Sequence, residues 1–595
     1  MKIEPSTIAQ AFEERAARYS DRTFLMDKNG AQWREHSWRQ ISDAAGRLRG
    51  GFAGLGLKRG DRLAILADNC PQWVTVDQAA LGLGAVVVPL YTTSGTEEIR
   101  HILSDSSARI VAIRGPENRM RVEAVLRGLP AVETLISMDA EAPVTEAPRA
   151  GQPRFETLAS LSAGAAMRTV EGGREDLATI IYTSGTTGPP KGVMLSHGNI
   201  LSNCESSLLA LSLNDTDIVL SFLPIAHSFE RTAGYYAVMV GGGTIAYAEG
   251  LSQIAQNLLE IRPTVVLTVP RLLEVIHARV MRTVERGPAL KRRLFAAALS
   301  VGQRAASCRH RGQPVRPSIA VAMAFYRRLV FKRIRTIFVD RIRYLVSGGA
   351  PLPLEVFWLL AAAEVPIVEG YGLTEAAPVV SVNLHGHTRP GTVGLPLSGI
   401  EVSTAGDGEL LVRGSNVMQG YFGRQEETRE AIDAQGWLHT GDIAEIDSEG
   451  FIRITDRKKE IIVLSGGKNV SPAYLESRLI RDPYVAQACV VGDRRKHVAA
   501  LLVPNFENLA PELSRLGLGG READSLVHEA ALRSLFQVRL RNFNRSLSDA
   551  EAIVAFTLLA TPFSTDNGEL TPTLKVRRKT VQEHYREQIE AMYRE

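Results

Sequence analysis

Short apolar runs and amphipathic stretches alternate along the first part of the chain. Residues 62–67, 85–89 and 109–113 are compact and apolar, while 71–81 and 96–105 between them space their apolar positions as a helix does. The order predicts a βαβαβ unit of a parallel sheet. Further apolar runs at 264–269, 343–346 and 366–368 read as strands. Loops follow the last two: Ser347-Gly348-Gly349-Ala350-Pro351 and Glu369-Gly370-Tyr371-Gly372. Loops at the carboxyl ends of parallel strands are where such sheets bind ligands. After about residue 390 the pattern changes to short β segments at 391–402, 408–413 and 443–455, with turn residues such as Asp447-Ser448-Glu449-Gly450. These predict a small antiparallel subdomain. From Glu460 onward helices mix with a hairpin over 487–504, which reads as a separate small domain. Residues 139–176, rich in Ala, Pro, Gly and Glu and weakly periodic, read as a surface excursion without chemistry. No internal repeat or low-complexity tract appears.

A chain of 595 residues exceeds one core, and length alone predicts about three or four globular units. With 45% hydrophobic and 23% charged residues, the composition is that of an ordinary globular protein, which excludes disorder as the theme. The four cysteines, Cys70, Cys204, Cys308 and Cys489, form no C-x-x-C pair, so neither a disulfide framework nor a zinc site is expected. Met1-Lys2-Ile3-Glu4-Pro5 opens without an apolar stretch of signal-peptide length, and no run reaches a membrane span. A cytoplasmic protein is the expectation. Charge is uneven. Residues 279–343 hold 17 Lys or Arg against Glu285 and Asp340, a local +15 that leaves −11 for the rest of a chain whose total is +4. Two readings stand: solvated helix faces whose arginine stems cover apolar surface, or attraction to an anionic membrane on its inner face or to acidic cofactors. No nucleic-acid partner is expected.

The run Tyr182-Thr183-Ser184-Gly185-Thr186-Thr187-Gly188-Pro189-Pro190-Lys191-Gly192 carries the clearest chemistry. An apolar strand leads into it, and its glycines and four hydroxyls offer an anion many donors, with Lys191 as a cation. A Walker loop is excluded, because Lys191 stands three residues after Gly188 and is followed by glycine. Downstream, Tyr371-Gly372-Leu373-Thr374-Glu375 joins an aromatic face, a hydroxyl and a carboxylate. Trp437-Leu438-His439-Thr440-Gly441-Asp442 ends on a carboxylate whose two oxygens suit a diol. Thr455-Asp456-Arg457-Lys458-Lys459-Glu460 sits where the composition changes.

Taken together and in this order, these motifs resemble those of the adenylate-forming superfamily, and the resemblance covers about residues 7–585. The form around His227, in Leu223-Pro224-Ile225-Ala226-His227-Ser228-Phe229-Glu230-Arg231, and Leu570-Thr571-Pro572-Thr573-Leu574-Lys575 are similar to the long-chain fatty acid–CoA ligase branch. Many families place glycine before this lysine, where Leu574 stands here. Some bacterial relatives place a tryptophan gate where Arg231 stands, so no gate is expected.

The resemblance implies an α/β fold: a large N-terminal domain of stacked βαβ sheets with a small β-barrel-like subdomain (1–458), hinged at Lys459 to a small mobile C-terminal α+β domain (459–595). It implies an ATP pocket of Thr183, Ser184, Gly185, Thr186, Thr187, Gly188, Lys191, Gly349, Ala350, Pro351, Glu369, Gly370, Tyr371, Gly372, Thr374, Asp442 and Arg457. Tyr371 would stack on adenine, Asp442 and Arg457 would hold the ribose, and Thr183 with Glu375 would hold magnesium. Lys575, His227 and Thr374 would be catalytic, with Phe229, Tyr235 and Tyr236 nearer an acyl tunnel. Gly466 and Gly467 would lie along coenzyme A. The implied reaction is activation of a long-chain fatty acid by ATP through acyl-AMP, then thioesterification to coenzyme A. A fatty acyl-AMP ligase serving a carrier protein and a non-catalytic membrane-associated relative are the alternatives.

Overall fold

The apolar runs of the first third pair into an eight-stranded sheet. The computed structural model describes residues 3–139, 153–183, 189–338, 341–384, 386–458, 460–466, 468–572 and 574–594. Ser184, Gly185, Thr186, Thr187, Gly188, Lys459 and Gly467 therefore lie outside the described residues. The sheet runs in the order Gly420–Tyr421, Lys191–Ser196, Leu177–Thr183, Val86–Leu90, Arg62–Leu66, Ile110–Ile113, Thr134–Ser137, Arg154–Thr157. From Leu177–Thr183 outward to Arg154–Thr157 the pairing is parallel. The crossover helices are Pro71–Leu81 and Thr96–Asp105, as the spacing predicts. One departure falls in the 139–176 excursion. Arg154–Thr157 adds an edge strand there, because its backbone completes the ladder of Thr134–Ser137 even though its side chains show little periodicity.

A nine-stranded sheet packs beside the first. Its parallel centre comprises Thr23–Asn29, Thr244–Tyr247, Ile218–Ser221, Val265–Thr268, Tyr344–Ser347 and Ile367–Gly372, and antiparallel strands cover its edges. The main core lies between the sheets and the N-terminal helices. Trp38 and Trp73 are fully buried within it, and Phe24 stacks on Trp38 with ring centroids 3.8 Å apart. Residues 369–372 were expected in a loop. They instead extend the strand Ile367–Gly372, because Val379–Val382 folds back antiparallel and takes up their backbone groups. A Cβ at Gly372 would lie 2.1 Å from the Pro378 carbonyl oxygen, so this return demands glycine.

Beyond it, Ile400–Thr404, Glu409–Gly414, Leu438–Ile446 and Ile452–Arg457 form a four-stranded antiparallel sheet. The C-terminal unit has its own core and a three-stranded sheet, in which Val485–Val491 and Val498–Pro504 make the expected hairpin and Ile553–Leu558 pairs parallel to the second strand. The basic segment is helical: Pro270–Glu285, Ala289–His310, Pro317–Tyr326 and Lys332–Ile337. No helix among the described residues is long and apolar enough to cross a membrane.

A second departure concerns Tyr235 and Tyr236. Expected near an acyl tunnel, both are fully buried on a π-helical turn, Glu230–Tyr236. Their hydroxyls donate to Asp77 at 3.1 and 3.0 Å. Arg231 completes the group: its guanidinium bonds Asp77 at 2.6 Å, Tyr236 at 3.0 Å and Thr179 at 2.7 Å. Burial pushes the Asp77 carboxyl up, and Arg231 and the two tyrosines oppose that push. A buried carboxylate requires such partners, and the tyrosines turn inward to supply them.

Candidate active site

The strands Leu177–Thr183 and Lys191–Ser196 form a hairpin in which Thr183 faces Lys191. The anion-loop residues 184–188 fall inside this connection. Pairing of Gly420–Tyr421 with the second strand brings Tyr421 beside the hairpin. The Lys191 ammonium sits 5.1 Å from the centre of the Tyr421 ring, and the Tyr421 hydroxyl donates to Glu375 Oε1 at 3.0 Å. Burial and the Glu375 charge raise the Tyr421 pKa, so it stays a neutral donor. Lys191, Tyr421 and Glu375 thus form one chain across the mouth of the hairpin. Among the described residues only one Glu375 carboxylate oxygen receives a protein donor, which fits a magnesium ion held by one carboxylate, the Thr183 hydroxyl and phosphate oxygens.

Glu375 lies on a short helical turn, Thr374–Ala376, just after the strand that carries Tyr371. The Thr374 hydroxyl is 3.0 Å from that of Ser228, which couples the turn to the His227 segment. His227 Nδ1 accepts the Phe229 backbone N–H at 3.1 Å, so its neutral ring carries the proton on Nε2 and offers it as a donor. Burial, then the positive charge of Lys575, hold the His227 pKa down to about 4. Phe229 packs against the Gly348 backbone, where a Cβ would lie 3.2 Å from its ring. Gly349, Ala350 and Pro351 are exposed, and Gly349 adopts φ +81°. Glu369 turns to this loop and accepts the Leu352 N–H at 3.0 Å, while burial raises its pKa to about 7.

On the far wall, Asp442 is buried and directly opposite Arg457 across an antiparallel ladder. Its Oδ1 accepts Arg457 Nε at 3.1 Å and its Oδ2 accepts the Tyr371 hydroxyl at 2.5 Å. Lys575 comes from the C-terminal unit to this wall. Lys575 is exposed, and Arg457, Glu460 and Asp442 are near enough for their charges to act on it. The surrounding protein lowers its pKa to about 8, with Arg457 adding to the shift and Glu460 and Asp442 opposing it. Thr93 Oγ1 donates to the Pro572 carbonyl at 2.9 Å, and Arg577 faces Glu98 at 3.8 Å, which docks this segment on the N-terminal sheet. Leu574, where many families place glycine, has φ +61°, a conformation that glycine adopts without cost. Gly466 lies in an exposed turn with nothing within 4 Å of where a Cβ would be.

The sequence model of the AMP-binding enzymes matches residues 12–422, and that of their C-terminal domain matches 459–595. The chain belongs to the AMP-binding enzyme family. Among relatives of this AMP-binding enzyme, the long-chain-fatty-acid–CoA ligase FadD15 of Mycobacterium tuberculosis is 35% identical, over 93% of this chain and 92% of its own. Long-chain-fatty-acid–CoA ligase 1 of Cavia porcellus is 31% identical, over 89% of this chain and 78% of its own. The adenylation domain of the carboxylate reductase of Mycobacterium chelonae has the same fold, with a TM-score of 0.77 at 24% identity over 99% of this chain and 92% of that one.

Three members of this AMP-binding enzyme's cleft escape a reading of motifs. Ser228 sits inside a quoted segment, but nothing local marks it as the partner of Thr374. Glu230, fully buried on the π-helical turn, has its pKa raised to about 8 by burial and leaves Oε1 unpartnered among the described residues. Tyr421 belongs to a two-residue strand in a turn-rich stretch. Its one sequence signal is the preceding Gly420, whose φ of +133° lets the chain enter the sheet edge.

Proposed function

We propose that this AMP-binding enzyme activates a long-chain fatty acid with ATP and then transfers the acyl group to coenzyme A, releasing pyrophosphate and AMP. One observation carries the reading: Lys575 of the C-terminal unit lies close enough for its charge to act on the neutral His227 ring and for the charges of Arg457 and Asp442 to act on it, beside the Tyr371 hydroxyl that Asp442 holds. A carboxylate is a poor acyl donor until its oxygen becomes part of a better leaving group. In the first step a carboxylate oxygen attacks the α-phosphorus of ATP, the bond to the β-phosphate oxygen breaks, and pyrophosphate leaves. The two anions must be brought together. Asp442 and Arg457 hold the ribose, Tyr371 the adenine, and Lys191 with the hydroxyl loop the departing phosphates. Lys575 and the His227 Nε2–H take the charge that develops between carboxylate and α-phosphate, an electrostatic role that dominates such chemistry. Glu375 and Thr183 would hold magnesium, which would supply further charge neutralisation at the phosphates.

In the second step the coenzyme A thiolate attacks the acyl carbonyl and AMP leaves with the original carboxylate oxygen. Lys575 must withdraw for the thiol to enter, so we assign residues 1–458 and 459–595 to two domains that rotate about Lys459. Lys458 supports this boundary, since its backbone N–H bonds the Gly441 carbonyl at 2.8 Å and its ammonium bonds Glu409 at 2.9 Å, fixing the chain to the N-terminal side. We assign Gly466, and by the same motif Gly467, to coenzyme A binding. The names of the relatives support a long acyl chain, and the basic segment 279–343 supports peripheral contact with an anionic membrane. Pyrophosphate release measured over acids of increasing chain length, with and without coenzyme A, tests the reading. Turnover that needs coenzyme A and rises with chain length is expected. Undiminished acyl-AMP formation with no thioester at any length would favour transfer to a carrier protein.

A further inference from the structure

The helix Pro317–Tyr326 has no polar face. Its ten residues carry no charge, and only Met323 is buried. A helix that is apolar all round normally sits in a core or in lipid. Here the protein covers one side, where Ile319, Met323 and Tyr326, with Val330 a turn further on, pack against the helical core of the basic segment. The other side stays open. Val321 is 74% exposed, and Phe325 and Leu329 are each 57% exposed, at intervals of four residues that continue into the π-helical turn Arg327–Phe331. Large exposed side chains grouped in this way mark an interaction surface rather than scattered surface apolarity. Ten residues span about 15 Å, half of the roughly 30 Å hydrocarbon layer, so the helix can lie in a bilayer interface but cannot cross it.

Charge identifies the partner. Arg309, Arg327 and Arg335 all turn to one carboxylate, Glu364, and Arg343 turns to Asp217. Arg316, Arg328, Lys332 and Arg333, which bracket the helix, are exposed and form no ion pair among the described residues. The surface therefore offers an apolar stripe framed by unneutralised cations. An anionic lipid leaflet supplies both complements, an apolar layer beneath and phosphates above. We propose that the helix Pro317–Tyr326 with its π-helical turn is an in-plane membrane anchor. Val321, Phe325 and Leu329 enter the acyl boundary, and Arg316, Arg328, Lys332 and Arg333 meet headgroup phosphates. This deepens the membrane contact assigned to residues 279–343 and rests on it. The anchor also suits the proposed substrate, since a long acyl chain partitions into the same layer.

Sedimentation of the full-length protein with vesicles of phosphatidylcholine and phosphatidylglycerol, compared with phosphatidylcholine alone, separates the two claims. The wild type is expected to pellet with anionic vesicles at low salt and to be released by high salt. The Val321→Ser, Phe325→Ser, Leu329→Ser triple variant should bind at least about tenfold more weakly, because the transfer of three large side chains is lost, with activity on detergent-dispersed fatty acid unchanged. Tryptophan placed by Phe325→Trp should be quenched by brominated lipid. A wild type that stays in the supernatant at low salt overturns the membrane contact as a whole. Equal pelleting of the triple variant, or no quenching at Phe325→Trp in pelleted protein, overturns the anchor and leaves a contact of charge alone. Self-association without lipid that the triple variant abolishes would assign the stripe to a protein partner instead and also overturn the proposal.

Discussion

Among single residues, Lys575 has the most to do in the first half-reaction. Its pKa of about 8 makes its charge sensitive to pH in the free enzyme: protonated below that value, the lysine neutralises the reacting anions, and above it the charge is lost. The kcat/KM for acyl-adenylate formation should therefore fall as pH rises through about 8. In Lys575→Arg the rate is lower but this limb disappears, because arginine keeps its charge. Lys575→Ala should lose about 100-fold or more in pyrophosphate release while thioester formation from supplied acyl-adenylate changes little. Stopped-flow measurement of the two half-reactions across pH checks all three outcomes. Lys575 was legible in the sequence because its neighbours form a contiguous motif. Tyr421 was not, because its link to Lys191 and Glu375 arises from strand pairing between segments far apart in the chain.

Among elements, the π-helical turn Glu230–Tyr236 holds a buried contact that neither the resemblance nor local pattern announces. The family resemblance implies that Tyr235 and Tyr236 lie nearer an acyl tunnel, whereas in the structure their hydroxyls are taken up by the buried Asp77. The helix Pro71–Leu81 is buried on nearly all sides, yet nothing in its sequence says which partners will meet Asp77. Breaking the Asp77–Arg231 pair leaves one buried charge unmatched, which costs about 3–5 kcal/mol. Arg231→Met alone should thus lower the unfolding temperature sharply, and Asp77→Leu combined with Arg231→Met should restore much of the loss, as read by calorimetry. The strand Ile367–Gly372 teaches the reverse lesson. Glycines at 370 and 372 looked like loop residues, but their lack of side chains is what lets Val379–Val382 return so closely.

For the whole molecule, the alternation of strands and helices and the change of composition near residue 390 made the layered fold legible early. How the C-terminal unit docks was not, because Thr93–Pro572 and Glu98–Arg577 join segments with no shared pattern. These contacts hold Lys575 at the site, a pose suited to the first half-reaction alone. Cysteines at Thr93→Cys and Pro572→Cys, in a Cys308→Ser background, should close into a crosslink that spares one round of pyrophosphate release and blocks thioester formation. Reduction should restore the second step, and quench-flow analysis of both products reads the result.

The central claim is that the fatty acid carboxylate attacks the α-phosphorus of ATP. The most direct measurement supplies a long-chain fatty acid labelled with 18O in both carboxylate oxygens and follows the label by mass spectrometry after turnover with coenzyme A. One 18O in AMP and none in pyrophosphate is the expected result. Label in inorganic phosphate with formation of ADP, or unlabelled AMP beside a labelled thioester and water, would contradict it.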